Sequence, residues 1–143
     1  MIPLISSGTA GPLGVLHLPR LWLKTLLSAV DQLPPGYKDI RVGFDFMVLE
    51  GLKIDPDAAR SFIVNERPSY LGFEAWIKAQ PGVDLTPANI AEVNAVVTTR
   101  EKSDRARAEI LATIGLPDDG TIKDSILLNA LDDWHAVHAE LTS

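Results

Sequence analysis

Several prolines of this chain follow a residue that can cap a helix. These pairs mark the boundaries of the apolar segments. Asp55 precedes Pro56 and Thr86 precedes Pro87, and residues with helical spacing follow both pairs. Proline fits the first turn of a helix because its missing N–H is not needed there, and it ends a helix that reaches it from the other side. The sequence is therefore divided into short helical segments with well-defined starting points.

The apolar spacing predicts a first helix over residues 19–33 and a last one over residues 123–140. Between them, a second, short helix is expected with Asp45 as its N-cap, a third after Asp55, and a fourth after Ser69. Aromatic residues with helical spacing are expected to lie in the core. These are Trp22, Tyr70, Phe73, Trp76 and Trp134.

The segment after Thr86 carries the clearest helix signal. From Pro87 the pattern can continue to Ile114, where Gly115 suits a left-handed terminal residue. A polar block over 98–105 indicates either a break or a solvated face, and oppositely charged residues four apart favour continuity. We predict one long helix over 87–114, with two helices as the alternative, and a solvated face for the basic segment 100–107.

The strand-like stretches "MIPLI" and "IRVGF" are too short to demand a sheet, and the sequence has no internal repeat. A length of 143 residues suits one domain with a sizeable core. The expected fold is all-α: a single domain over residues 1–143 with five or six helices, short and irregular in the first half and long in the second. An extended N-terminal arm, residues 1–18, is expected to pack on the helices.

Composition excludes several classes of protein. The absence of cysteine excludes disulfides and thiolate metal sites, and the net charge of −6 argues against nucleic acid and anionic membranes as partners. The N-terminal residues lack both the basic start of a signal peptide and the unbroken apolar run of a membrane span. We therefore expect a cytoplasmic protein.

Gly8, Gly11 and Gly14 recur every third position just before the first helix. A glycine turn ahead of a helix is typical of phosphate-binding loops, but this spacing matches neither the dinucleotide fingerprint nor the P-loop. We interpret the stretch as an ordered loop, and no cofactor is expected.

His17 and Arg20 stand around the first turn of the first helix, where an arginine opposes the helix dipole. A negative group should therefore lie close to Arg20. It is either an acid of the fold, such as Asp39 or Asp45, or an anionic ligand. The ligand hypothesis assigns a binding set of His17, Arg20, Tyr37, Asp45 and Glu74.

Asp132, His135 and His138 step by three along the last helix. Two imidazoles and a carboxylate are suitable ligands for zinc or iron, although further ligands would have to come from elsewhere. The structural alternative is that His138 packs partly on the apolar stripe of this helix while the other two are solvated. The metal hypothesis makes the protein a small metal-assisted or acid/base enzyme.

Several stretches together resemble a family of small bacterial proteins, domain of unknown function five-zero-six-nine. They are "GVLHLPRLWLKTLL" (14–27), "LPPGY" (33–37), "GFDFMVLEGLKID" (43–55), "EAWIKA" (74–79) and "LNALDDW" (128–134). The resemblance is densest over residues 14–80. It implies a bacterial cytoplasmic helical protein and carries no activity, cofactor or site residue.

These observations favour a noncatalytic helical domain that binds a small anionic ligand or a protein partner, including a second copy of the chain through an apolar helix face. The alternative is a small metal-assisted or acid/base enzyme that uses either the strip from Asp132 to His138 or a pocket near His17, Arg20, Asp45 and Glu74. Convergence of the charged residues of the first and fourth helices with Tyr37 in one pocket would favour a ligand site or an active site.

Overall fold

The computed structural model describes residues 1–40 and 43–143, so part of the "IRVGF" stretch lies outside the described residues. The described residues form helices and no strand, which confirms the all-helical class. The described residues contain seven helices rather than the five or six expected. They are α1 (Leu18–Ala29), α2 (Phe44–Gly51), α3 (Pro56–Glu66), α4 (Tyr70–Lys78), α5 (Pro87–Thr99), α6 (Asp104–Ile114) and α7 (Ser125–Thr142).

Three of the predicted helix starts are confirmed by their caps. The side chains of Asp55, Ser69 and Thr86 each accept a hydrogen bond from a backbone N–H in the first turn of the helix that follows. Each cap satisfies a donor that has no partner within the helix. These starts are local features, so the sequence alone defines them.

The ends of α1 and the start of α2 differ from the prediction. α1 ends at Ala29, because Asp31 adopts a left-handed conformation and Gln32 N–H donates back to the Leu27 carbonyl at 2.8 Å. The N-cap of α2 is Gly43, and Asp45 lies within the first turn. The Asp45 carboxylate does not cap because it is engaged by side chains of the first helix region.

The predicted long helix over 87–114 is wrong: it is two helices, α5 and α6. Arg100 has an extended backbone, and Ser103 starts α6 by accepting a hydrogen bond from Ala106 N–H at 3.2 Å. The Arg100 carbonyl accepts from Ser125 N–H at 3.3 Å, which fastens the break to the start of α7. The predicted stop at Gly115 is confirmed by its left-handed conformation.

The core is a cluster of buried apolar side chains drawn entirely from residues 15–97, among them Leu21, Leu49 and Phe73. α1 packs on α2, α3 and α4, and α5 connects this group to α7, because it contacts both α2 and α7. α6 packs on α7, where Leu111 and Leu128 are buried outside the main cluster. The α6–α7 pair meets the starts of α1 and α2 along a boundary that we call the seam, and residues from all four helices line a cavity there.

The apolar stripe predicted for α7 does not face the core. Trp134 is 62% exposed and Leu141 is 78% exposed, so the prediction that Trp134 is a core residue is wrong. The inward face carries Leu128 and the charged Asp133. A buried ion pair at Asp133 sets this orientation of the helix, as described below. Within residues 1–40 and 43–143, no helix has the length and apolar character needed to cross a bilayer.

Residues 1–17 form an arm without helices that is tied to several elements. Asn94 on α5 accepts from Leu16 N–H at 2.9 Å and donates to the Gly14 carbonyl at 2.8 Å. A Cβ at Gly11 would overlap the side chains of Tyr70 and Glu74, so this position requires glycine for close approach to α4. The glycine therefore serves packing here.

A basic cleft as candidate functional site

A cavity of about 310 Å³ opens at the seam, and we call it the basic cleft. It receives side chains from the start of α1, the start of α2, the break between α5 and α6, and the first turns of α7. Its lining residues are His17, Arg20, Lys24, Gly43, Phe44, Asp45, Arg100, Lys102, Ser103, Ala106, Ser125 and Asn129.

Arg20 is buried and hydrogen-bonded to groups of the fold. Its guanidinium donates to both carboxylate oxygens of Asp133, at 2.5 and 3.2 Å, and to the Ile5 carbonyl at 3.1 Å. The Tyr37 hydroxyl donates to the same carboxylate at 2.9 Å. The negative partner of Arg20 is therefore an acid of the fold, as one of the two hypotheses expected, but it is Asp133.

Neither acid suggested by the sequence fills that role. Asp39 accepts hydrogen bonds from Ser28 and Arg60. Asp45 pairs with Lys24 at 2.8 Å and with His17 at 2.6 Å. The predicted pairing of Arg20 with Asp39 or Asp45 is wrong, because both carboxylates are engaged by nearer basic groups.

His17 is buried and uses both ring nitrogens. Burial lowers its pKa against the opposing effect of the Asp45 carboxylate, so the ring is neutral at pH 7. Burial alone would raise the pKa of Asp45, but the hydrogen bonds from His17 and Lys24 and the positive charge of Lys24 outweigh it and lower that pKa. We assign the proton to Nε2, which donates to Asp45, so that Nδ1 accepts from the Ser7 hydroxyl at 3.0 Å.

Arg100 and Lys102 have no carboxylate partner in the described part of the chain. Arg100 lies over the Phe44 ring, with its guanidinium carbon 5.9 Å from the ring centre, and contacts the Met47 sulfur. Lys102 is half-buried, and burial together with the charges of Arg20 and Arg100 lowers its pKa. Both side chains come from the break between α5 and α6, so this short segment places two basic groups in the lining of the cleft.

Two further features of the lining can bind an anion. Ser125 is 1% exposed, and its hydroxyl has no hydrogen-bond partner among the described residues, which is unusual for a buried polar atom. Ser103 places the N-terminus of α6 at the rim of the cleft, where backbone N–H groups and the helix dipole favour negative charge. The cleft thus combines two unpaired cations, a free hydroxyl and a helix N-terminus.

A second cavity of about 400 Å³ adjoins the basic cleft, and we call it the side cavity. Arg20, Lys24, Lys102 and Asn129 line both. The remaining lining residues of the side cavity are Gly36, Tyr37, Lys38, Ile110 and Asp132.

Four of the five residues predicted for ligand binding lie around these two cavities. His17, Arg20 and Asp45 line the basic cleft, and Tyr37 lines the side cavity with Arg20. Glu74 lines neither of them. Its carboxylate accepts from the Tyr70 hydroxyl at 2.7 Å and from a backbone N–H of the arm. The charged Arg20 of α1 thus lies in the same cavity as Tyr37, whereas Glu74 of α4 does not.

Sequence reasoning missed the cleft residues Arg100, Lys102 and Ser125. It also missed Asp133, which pairs with Arg20. The continuous helix predicted over 87–114 placed Arg100 and Lys102 on a solvated face. Ser103 followed by Asp104 is a helix-start signal that could have indicated the break. No sequence signal marked Asp133, which an amphipathic pattern assigns to the polar side.

The residues of the metal hypothesis are spread over α7. Asp132 is half-buried and lines the side cavity, while His135 and His138 are exposed. Within residues 1–40 and 43–143, no group of three or more histidine or carboxylate side chains is arranged to hold a metal ion. The metal-assisted enzyme therefore stays a prediction without support from the geometry.

No family model matches this chain, and comparisons with curated proteins and with solved structures likewise gave no match. The resemblance to a bacterial family of unknown function stays a prediction.

Proposed function

We propose that this protein is a noncatalytic helical domain that binds a small oxyanion carrying two negative charges, such as a phosphate group, in the basic cleft. The observation that carries the proposal is the pair of basic side chains, Arg100 and Lys102, that converge on the cleft without a carboxylate partner among the described residues.

The charges around the cleft favour an anion. Arg20 and Lys24 are paired with the carboxylates of Asp133 and Asp45, and His17 is neutral. Arg100 and Lys102 form no ion pair with a described residue, although the Asp132 carboxylate of the side cavity attracts Lys102. Lys102 is half-buried, and an unpaired cation that is partly removed from water is costly, so a bound anion relieves that cost.

The engaged residues support the site by holding its walls in place. The ion pair of Arg20 with Asp133 fixes α1 against α7, and the contact of His17 with Asp45 fixes it against α2. Hydrogen-bond donors held in position before binding lose less entropy when the ligand arrives. The residues predicted from sequence thus act mainly as the frame, and the ligand contacts come from Arg100, Lys102 and Ser125.

Titration with inorganic phosphate by isothermal calorimetry at low ionic strength tests the proposal. Lys102→Ala should weaken phosphate binding about tenfold or more, because a charge-assisted hydrogen bond contributes about 1.5–3 kcal/mol. Lys78→Ala is the matched control, since Lys78 is exposed on α4 and lines neither cavity. An absence of phosphate binding by the unaltered protein, or equal losses in the two variants, would contradict the proposal.

Ser125→Ala gives a second, independent measurement. The hydroxyl has no partner to lose, so the folded protein should keep its stability, whereas phosphate affinity should fall several-fold. Unchanged affinity in this variant would show that the hydroxyl does not contact the anion.

A further inference from the structure

We propose that the ligand is a phosphate monoester whose remaining part carries hydroxyl groups, with the phosphate in the basic cleft and the hydroxyls in the side cavity. This inference rests on the proposed function and names the chemical class of its ligand.

The two cavities form one continuous site around Lys102. Its side chain lines both of them, and so do Arg20, Lys24 and Asn129. An anion held between Arg100 and Lys102 therefore lies next to the opening of the side cavity. A volume of about 400 Å³ there leaves room for the rest of a small molecule.

The side cavity offers hydrogen-bond acceptors that the fold does not use. The Asp132 carboxylate has no hydrogen-bond partner in the described part of the chain, although it is half-buried. Asn129 donates through its Nδ2 to the Ser7 hydroxyl at 3.4 Å, and its Oδ1 has no donor among the described residues. Both acceptors are available to donors on a ligand.

The surrounding charges restrict what those donors are. A second anionic group in the side cavity would meet the carboxylate of Asp132. An ammonium group would meet Lys102, Lys24 and Lys38. An uncharged donor avoids both repulsions, and hydroxyl groups supply several donors on a small carbon chain.

A comparison of glycerol 3-phosphate with propyl phosphate isolates this contribution, since the two molecules share the phosphate and three carbons and differ in two hydroxyls. We expect the protein to bind glycerol 3-phosphate at least fivefold more tightly by calorimetry. Asp132→Asn should reduce that ratio toward one. It also removes a negative charge near the phosphate, so the ratio between the two ligands is the readout. Glu140→Gln is the control, because Glu140 is exposed on α7 and lines neither cavity.

The outcomes separate this inference from the proposed function. If phosphate and both esters fail to bind, the proposed function is wrong and the inference falls with it. If both esters bind with equal affinity, or if Asp132→Asn leaves the ratio unchanged, the basic cleft binds anions but the side cavity does not recognise hydroxyls, and only the inference is overturned.

Discussion

Arg20 and Lys102 line the same cleft, but only Arg20 is balanced by the fold. Arg20 is buried against a carboxylate that holds it through two hydrogen bonds, with a backbone carbonyl as third partner. Lys102 is half-buried and forms no hydrogen bond or ion pair with a described residue. One cleft thus contains cations with different roles. The paired, buried Arg20 stabilises the fold, whereas Lys102 is available to a ligand.

The two cations also differ in how the chain delivers them. Arg20 meets Asp133 across 113 residues of sequence, so their contact depends on the whole arrangement of α1 and α7. Lys102 is placed by a local break between two helices. A change in the first contact therefore affects the entire fold, whereas a change in the second should affect mainly the cleft.

The largest effect is expected from Arg20→Ala. It leaves the buried Asp133 carboxylate without its cation, and we expect the free energy of unfolding to fall by about 3–5 kcal/mol. Arg60→Ala is the control, because Arg60 pairs with Asp39 at the surface and its loss should cost about 1 kcal/mol or less. Urea denaturation measures both. Equal losses would show that the Arg20 pair is not a special support of the fold.

Lowering the pH should reduce the stability of the folded protein through His17. Its pKa is lowered by burial, so below the ordinary histidine pKa of 6.5 the unfolded chain binds a proton that the folded chain does not. Stability is therefore fully present above that pH and falls below it, by at most about 1.4 kcal/mol per pH unit. Denaturation between pH 7.5 and 5 should show this slope.

His17→Gln should remove that slope, and His135→Gln, at an exposed position of α7, should leave it unchanged. A slope that survives in His17→Gln would assign the pH dependence to another group. Asp45 acts at lower pH, because its pKa is lowered and its contribution is lost only as the pH falls below 3.8.

Lys102→Met should not lower the free energy of unfolding, in contrast to Arg20→Ala. Removing an unpaired charge near Arg20 and Arg100 should leave stability unchanged or raise it by about 0.5–1 kcal/mol in phosphate-free buffer. Phosphate at ten times its dissociation constant should raise the free energy of unfolding of the unaltered protein by about 1.4 kcal/mol. The same concentration should stabilise the variant less, and a destabilised variant would mean that Lys102 supports the fold.

The smallest effect is expected at Trp134, next to Asp133 on α7 but on its outer face. Trp134→Ser should change stability by about 0.5 kcal/mol or less, because the indole is 62% exposed. Its fluorescence should be quenched readily by acrylamide, whereas Trp22 and Trp76 pack against the core. A large loss of stability would show that this face of α7 is covered.

Most of the fold could be predicted because helix starts are local. The caps at Asp55, Ser69 and Thr86 depend only on residues two or three positions further along the chain, so the local sequence is enough to predict them. The break between α5 and α6 was missed because charge pairs favoured continuity, while the competing cap at Ser103 decided the backbone. Local signals of similar strength cannot be ranked without the surrounding structure.

The candidate site was predictable only in part. An arginine in the first turn of a helix demands a negative partner, and the sequence therefore indicated that Arg20 has one, but it suggested the wrong acids. It could not indicate Asp133, because the contact joins distant segments and requires α7 to turn an acid inward and Trp134 outward. The periodicity of α7 favoured the opposite face, and the buried ion pair outweighed it.

The arm over residues 1–17 also has a consequence for the order of folding. The Ser7 hydroxyl forms hydrogen bonds with His17 and with Asn129, which is 122 residues away in the sequence. The two bonds can be present together only after α1 and α7 have come together. Contacts with such large sequence separation form slowly, because the chain entropy of closing the loop must be overcome first. Docking of the arm is therefore expected to be a late kinetic step, one that completes the burial of His17 and Arg20 after the helices have assembled.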